Sequence, residues 1–429
     1  MEDILCIEGP VRISGEVTVG GAKNAVLPLI FASMLTKEKV ILRNVPDLSD
    51  ISVTMRLLKS FGANCSFDNG VLTLESKEIT NFEAPYSAVK ALRASFWAMG
   101  PLLARVKNAK VPLPGGDAIG TRPVDLHLKG FSKMGATIRM QNGVVIAEAL
   151  GKLNGAEIEL DFPSVGATHN ILMCAALIPE ETIIKGAARE PEVVALAELL
   201  TLMGAEVSGA GTSEIKIIGK KELDGADFSV IGDRIEAATY LAAAAATKGE
   251  VLIRGIESEH LSQELELLRE MGCEVITSEN SIHLRSEKRL KAVNFETSPH
   301  PGVATDVQAI FLAALTKAEG NSKIIENVFE SRYGHVAEYK RFGAEIEVNS
   351  RVATVTGVEK LSAAPVEGRD IRAAAGCVIL GLMATGTTQV REIHHLDRGY
   401  DKIVSKFRSL GASITRLPSV DNREIIIGC

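Results

Sequence analysis

The sequence predicts an α/β protein built from six copies of one β-α-β-α-β-type unit, gathered into two clusters of three. Three observations carry this. A bulky apolar residue, Gly and a small residue recur at Phe61-Gly62-Ala63, Met134-Gly135-Ala136, Met203-Gly204-Ala205, Met271-Gly272-Cys273, Phe342-Gly343-Ala344 and Leu410-Gly411-Ala412. The glycines follow one another at about 70 positions, the mark of a repeated supersecondary unit. Between them, stretches rich in Ala and Leu alternate with short β-branched runs.

Each unit opens with a helix, predicted at 24–35, 89–103, 168–177, 235–246, 306–315 and 371–383. A strand follows in most units, as at 39–42 and 250–253. A second, amphipathic helix then runs to the repeated glycine, as at 196–203 and 261–271. In the latter, Leu261, Leu265 and Leu268 share one face. Gly just past a helix end takes the left-handed conformation without a Cβ penalty. An alternating strand such as 344–348 closes the unit.

Runs at 2–7 and 424–427 read as strands outside the six units. A first strand that pairs near the chain's end predicts two domains. One is 21–230, with repeats 1–3 and a loop at 112–123. The other is 1–20 plus 231–429, with repeats 4–6.

Of 429 residues, 46% are hydrophobic and only 4% aromatic, so the core should be Ala, Val, Ile and Leu. The net charge of −7 argues against a nucleic-acid partner, though not against a small anion held by a local cationic cluster. Six Cys without Cys-x-x-Cys spacing read as small buried residues of a reducing compartment. Met1-Glu2-Asp3 is acidic where a secretion signal is basic, and no apolar run approaches the length of a membrane span. These features predict a cytoplasmic protein with no membrane insertion. His394 and His395 are the one close His pair. Read as strand neighbours they point to opposite sides, which gives no metal site.

Four constellations carry chemistry. Gly20-Gly21-Ala22-Lys23-Asn24-Ala25 sits between a strand and a helix, where free N–H groups and a cation favour an anion. Taken alone it reads more readily as a strand-to-helix turn with a solvated Lys, and the Walker spacing is absent. Leu113 to Pro123 surrounds Asp117 and Arg122 with glycines and prolines, as in a mobile lid or an ordinary surface loop. His300 to Gln308 places Asp306 at a helix start, where a simple cap is the bland reading. Arg93, Arg122, Arg332, Arg372 and Arg398 fall at unit junctions. Together they suit a polyanion, because Arg presents a fixed fork to phosphate and carboxylate.

Nearly end to end, the chain resembles the UDP-N-acetylglucosamine 1-carboxyvinyltransferase family of enolpyruvyl transferases. The resemblance is carried by Gly21-Ala22-Lys23-Asn24, Arg93-Ala94-Ser95, Pro114-Gly115-Gly116 through Arg122-Pro123-Val124-Asp125-Leu126-His127, and Ser164 to Thr168. It continues through Ala188 to Glu192, Asp233 to Glu236, Thr305-Asp306, Val328-Phe329-Glu330 and His395 to Tyr400. It implies a two-domain inside-out α/β barrel, helices inside and sheets outside. It also implies transfer of the enolpyruvyl group of phosphoenolpyruvate to the sugar 3′-hydroxyl, without metal or cofactor, early in cell-wall peptidoglycan synthesis.

By the resemblance, Lys23, Arg122 and Arg398 hold the phosphate and carboxylate of phosphoenolpyruvate, with Asn24 beside them. Arg93, the run Arg122, Pro123, Val124, Asp125, Leu126, the run Phe162, Pro163, Ser164, Val165, and Asp306 and Val328 contact the sugar nucleotide. Asp306 takes the hydroxyl proton, and Arg372 lines the same cleft. Asp117 stands where most members carry the lid Cys, as general acid or in product release. This implies resistance to fosfomycin and a more acidic rate optimum than in an Asp117→Cys variant. Phe162-Pro163 stands where some members have Lys. The rival readings are the shikimate-pathway enolpyruvyl transferase, whose Gly-Ser-Lys-Ser and Gly-Asn-Ala-Gly-Thr segments are absent, and a catalytically silent binding paralogue.

Overall fold

The computed structural model describes residues 3–113 and 123–418. The expected strand at 424–427 and most of the expected loop at 112–123 lie outside them. Six helices are apolar on nearly every side and must therefore be surrounded. They are α1 (Lys23–Ala32), α2 (Met99–Val106), α3 (Val165–Ala175), α4 (Arg234–Ala246), α5 (Thr305–Leu315) and α6 (Ile371–Met383). Every residue of α6 is buried, as is every residue of α4 before Ala246. Small residues make the close packing possible. At Gly376 in α6 any Cβ would collide with the Tyr339 hydroxyl, which itself donates to the Ala309 carbonyl of α5 at 3.1 Å.

The described residues fall into two compact units. In the unit of residues 3–20 and 232–418, α4, α5 and α6 pack on one another. In the unit of 21–113 and 123–231, α2 packs on α3. Strands alternate buried and exposed positions, as in Glu181–Lys185 and Lys39–Arg43. One face of each such sheet therefore covers helices while the other meets solvent.

Among the described residues there are six sheets. In five of the six sheets the strand after a core helix pairs antiparallel with a hairpin strand, and in the sixth Ile4–Gly9 takes that place. In five it also pairs parallel with a strand from before a helix, as Glu157–Glu159 with Glu181–Lys185, whereas Asn108–Pro112 has only an isolated parallel bridge from Lys110 to Glu83. At the chain's two crossings this local rule is exchanged. Ser14–Thr18 precedes α1 but pairs parallel with Glu250–Arg254, whereas Ala226–Ser229 precedes α4 but pairs with Lys39–Arg43. Ile4–Gly9 pairs antiparallel with both Gly386–Arg391 and Ser413–Leu417, joining the chain's start to its last repeat. The Gly20 N–H donates to buried Glu236 at 2.8 Å, and the Gly20 carbonyl accepts from the Asp233 N–H at 2.9 Å.

All six repeated glycines have left-handed backbone, with φ of 104° at Gly62, 98° at Gly135, 103° at Gly204, 98° at Gly272, 87° at Gly343 and 89° at Gly411. Any other residue would be strained there. The preceding bulky residues Phe61, Met134, Met203, Met271, Phe342 and Leu410 are all buried. The triplet thus ends a helix and plugs the core with one motif.

Two expectations need correction. The single helix expected at 89–103 is broken. Leu92 is extended (φ −142°, ψ 113°) between Tyr86–Ala91 and the 3-10 turn Arg93–Ala98, before α2 begins. The Ser95 hydroxyl takes the Leu92 carbonyl at 2.6 Å, and Pro101 has no N–H to extend α2 backward. Nor are His394 and His395 strand neighbours. Left-handed Glu392 starts the 3-10 turn Ile393–Arg398, which brings the two rings to 4.2 Å.

Candidate functional site

Candidate side chains lie at helix starts within each unit. In the unit of 21–113 and 123–231, Lys23 is the first residue of α1. The turn before it is tight: a Cβ at Gly21 would strike the Asn44 carbonyl, and the Ala22 N–H donates to Ile231 at 2.7 Å. Lys23 is only 7% exposed, with Nζ 2.7 Å from Asp50 Oδ2. The bland reading of a solvated Lys is therefore excluded. Asp50 was not anticipated. The sequence did hold a signal, because Asp50 shares the apolar face of Ser49–Ser60 with buried Thr54 and Leu57.

Removing Asp50 takes away the carboxylate 2.7 Å from the buried Lys23 ammonium, and breaking a buried pair is strongly destabilising. Asp50→Ala is expected to lower unfolding stability by about 3 kcal/mol. Denaturant unfolding monitored by the single Trp97 would measure it, and an unchanged midpoint would refute it.

Two further runs converge in this unit. Helix Asp125–Lys133 starts just after Pro123 and Val124, and it packs on α3. Ser164 caps α3, its hydroxyl accepting from the Ala167 N–H at 3.3 Å. Facing contacts run in register, His127 against Gly166 and Gly130 against Ile171. Both helices therefore start at the same end, bringing Pro123, Val124, Asp125 and Leu126 near Phe162, Pro163, Ser164 and Val165. Phe162 is 44% exposed. Asn24 is half-buried in the first turn of α1. Arg93 opens a 3-10 turn, but its side chain, Asp117 and Arg122 lie outside what is described.

In the other unit, Asp306 occupies the first turn of α5. It is not a cap, since Ala304 precedes the helix and offers no side-chain bond. Its two carboxylate oxygens are divided between two cations. Oδ1 accepts from Arg332 Nη2 and Oδ2 from Arg372 Nη2, each at 3.0 Å. The arginine side chains are 5% exposed and that of Asp306 is 27% exposed. Burial raises the Asp306 carboxyl. The guanidiniums of Arg372, Arg332 and Arg234 outweigh that and hold it far below the usual carboxylate range.

Several residues build this fork. Asp370 caps α6 by accepting from the N–H groups of Arg372 (2.8 Å) and Ala373 (2.9 Å). Asp233 caps α4 in the same way, just before Arg234. Buried Glu326 accepts from the Thr305 hydroxyl at 3.0 Å and from the N–H groups of Val328 (2.9 Å) and Phe329 (3.0 Å). It therefore ties the start of α5 to the Val328 segment. The Arg372 guanidinium also lies over the buried Tyr400 ring, 5.4 Å from its centroid. Arg398 ends the 3-10 turn Ile393–Arg398 and is half-buried. In the sequence Arg332 is one junction arginine among several, and nothing local marks Glu326 or Arg234 for a site.

The chain is similar to known proteins along nearly its whole length. Residues 7–407 match the family model described as EPSP synthase (3-phosphoshikimate 1-carboxyvinyltransferase). The chain is 48% identical over 416 residues to UDP-N-acetylglucosamine 1-carboxyvinyltransferase 1 of Caldanaerobacter subterraneus subsp. tengcongensis, covering 97% of this chain and 100% of that one. It is 45% identical over 422 residues to the UDP-N-acetylglucosamine 1-carboxyvinyltransferase of Finegoldia magna, covering 98% and 100%. Among solved structures, the enolpyruvyl transferase NikO from Streptomyces tendae aligns with a TM-score of 0.86 at 24% identity, over 98% of this chain and 100% of that one. EPSP synthase from Acinetobacter baumannii aligns with a TM-score of 0.74 at 17% identity, over 97% and 100%. These two likenesses establish the fold.

Proposed function

Because the chain belongs to the UDP-N-acetylglucosamine 1-carboxyvinyltransferase family of enolpyruvyl transferases, we propose that it moves the enolpyruvyl group of phosphoenolpyruvate to the 3′-hydroxyl of UDP-N-acetylglucosamine and releases phosphate, in the cytoplasm. Among the described residues no helix is long and apolar enough to cross a membrane.

The observation that carries the reading is Asp306 held between Arg332 and Arg372 at a helix start. Addition across the enol double bond needs a proton removed from the hydroxyl and another delivered to the methylene carbon. Asp306 accepts the first as the hydroxyl oxygen bonds the central carbon. Asp117 is assigned to the acid side or to product release. A tetrahedral phospho-ketal results; phosphate then leaves and a methyl proton is lost. Lys23, Arg122 and Arg398, with Asn24, hold the phosphate and carboxylate, and Arg372 and Arg332 add a second cationic pair. Arg93, residues 122–126, residues 162–165 and Val328 hold the sugar nucleotide. Fixed cations of this kind offset charge without reorganising during the reaction.

The test is phosphate release by purified protein. Turnover with phosphoenolpyruvate and UDP-N-acetylglucosamine, and none with shikimate 3-phosphate as acceptor, is expected. Turnover only with shikimate 3-phosphate would favour the shikimate-pathway enzyme, and no turnover with either would favour a silent paralogue.

A further inference from the structure

We propose that Asn170 is a positioning residue for the nucleotide sugar, holding the neutral His127 ring with its proton on Nε2 so that a donor faces the bound nucleotide. This rests on the reading above, in which residues 122–126 and 162–165 take the sugar nucleotide.

The Gly100 backbone N–H only donates, and it lies 2.8 Å from Asn170 Oδ1. That end of the Asn170 side chain must therefore be the carbonyl. The amide nitrogen, Nδ2, then lies 3.0 Å from the Phe96 carbonyl, which only accepts. Two backbone groups thus fix the amide orientation independently. The same Nδ2 lies 3.0 Å from His127 Nδ1. A donor on Asn170 requires an acceptor on His127, so Nδ1 carries the lone pair and Nε2 the proton. A proton on Nδ1 would set two donors face to face inside a buried site.

The surroundings leave the ring little freedom. His127 and Asn170 are buried, and the Phe96 ring meets His127 edge-on at 5.1 Å between centroids. Gly100 admits the amide because a Cβ there would collide with the Asn170 backbone and side chain. On the other side a Cβ at Gly166 would lie 3.1 Å from His127 Nε2. The Gly166 carbonyl accepts from Trp97 Nε1 at 3.1 Å, which pins the first turn of α3. His127 follows Leu126 directly, and Gly166 follows Val165. The Nε2 edge therefore sits at the junction of the two nucleotide-binding runs. A nucleoside diphosphate presents oxygen acceptors, which need a donor there. The other tautomer would present a lone pair.

The experiment uses the full chain with 15N-labelled histidine and long-range 1H–15N spectra, the His127 signals being assigned by their loss in His127→Asn. Expected in the wild type are a pyrrole-like Nε2 and a pyridine-like Nδ1, with the Nε2 signal moved by UDP-N-acetylglucosamine and not by phosphoenolpyruvate alone. Asn170→Asp, which no longer donates toward His127, is expected to shift the proton to Nδ1. It is also expected to raise the KM for UDP-N-acetylglucosamine about tenfold while that for phosphoenolpyruvate stays within about twofold. A wild-type proton on Nδ1, or an Nε2 signal that ignores the nucleotide sugar, would overturn the proposal even if the variant fails to fold. So would equal rises in both KM values, or an altered tautomer with unchanged KM. Wild-type protein inactive with UDP-N-acetylglucosamine overturns the functional reading and this role with it. Normal wild-type turnover with any of the other failures overturns this role alone.

Discussion

Asp306→Asn is expected to lower the rate of phosphate release by about a thousandfold, within the range of a lost general base, while the KM for UDP-N-acetylglucosamine changes far less. The amide keeps the shape and still accepts through one oxygen, so Arg332 or Arg372 retains a contact. What disappears is the capacity to take a proton. In the free protein the carboxylate is a weak base, because Arg372, Arg332 and Arg234 hold its carboxyl far down. In the proposed mechanism, anionic phosphoenolpyruvate entering among these cations would neutralise part of that hold and raise the carboxyl toward a useful range. The acceptor proton would then move only with both substrates present. The stability consequence has a definite sign. A carboxyl lowered by folding contributes stability that is fully present above its unfolded value, about pH 3.9, and is lost as pH falls toward the folded value. Asp306→Asn should therefore be less stable than the wild type at neutral pH. That difference should persist down to about pH 4 and narrow only below it. Steady-state phosphate assays and pH-dependent denaturation check the two halves, and a variant within tenfold of wild-type turnover would remove Asp306 from the role of base.

The repeat was legible because its period is written in local chemistry. Each Gly after a bulky apolar residue meets a left-handed helix end, and beyond their first turns the Ala-rich helices are largely apolar and buried. Such features need only neighbouring residues to be seen. The break at Leu92 and the turn after Glu392 were missed because side-chain and backbone choices there override a smooth apolar pattern. The candidate site was less legible for a different reason. Lys23, Asp306 and Arg372 stand out as residue types at helix starts. Their partners, however, are set by packing of distant segments. Arg332 and Arg372 are 26 and 66 positions from Asp306, and Asn170 is 43 positions from His127. Glu326 looks like any strand-end carboxylate until its bonds to Thr305, Val328 and Phe329 are seen. Periodicity says which face of an element is buried but not which other element covers it.

The protein is expected to keep its turnover after prolonged incubation with fosfomycin, and Asp117→Cys to lose it progressively and irreversibly. This follows from the identity of one side chain. Fosfomycin carries a strained epoxide. A thiolate attacks an epoxide carbon, the carbon–oxygen bond opens, the oxygen takes a proton, and a stable thioether remains. A carboxylate is a far poorer nucleophile toward carbon, and the family resemblance puts Asp117 at the position of the lid thiol. Fosfomycin is also a phosphonate, so reversible competition with phosphoenolpyruvate is compatible with this expectation. Dilution after incubation separates the two effects, since a competitor washes out and a thioether does not. Inactivation of Asp117→Cys should accelerate with rising pH as the thiol, with a reference pKa near 8.5, becomes thiolate. The same substitution moves catalysis. An Asp with a reference pKa near 3.9 must be raised to hold a proton near neutrality, whereas a thiol holds one already. The wild-type rate optimum should therefore lie at lower pH than that of Asp117→Cys. Inactivation of the wild type that survives dilution, with one adduct found by mass spectrometry on Asp117, would show that the carboxylate reacts after all. Matching pH profiles of the two proteins would separately remove Asp117 from proton transfer and leave product release as its role.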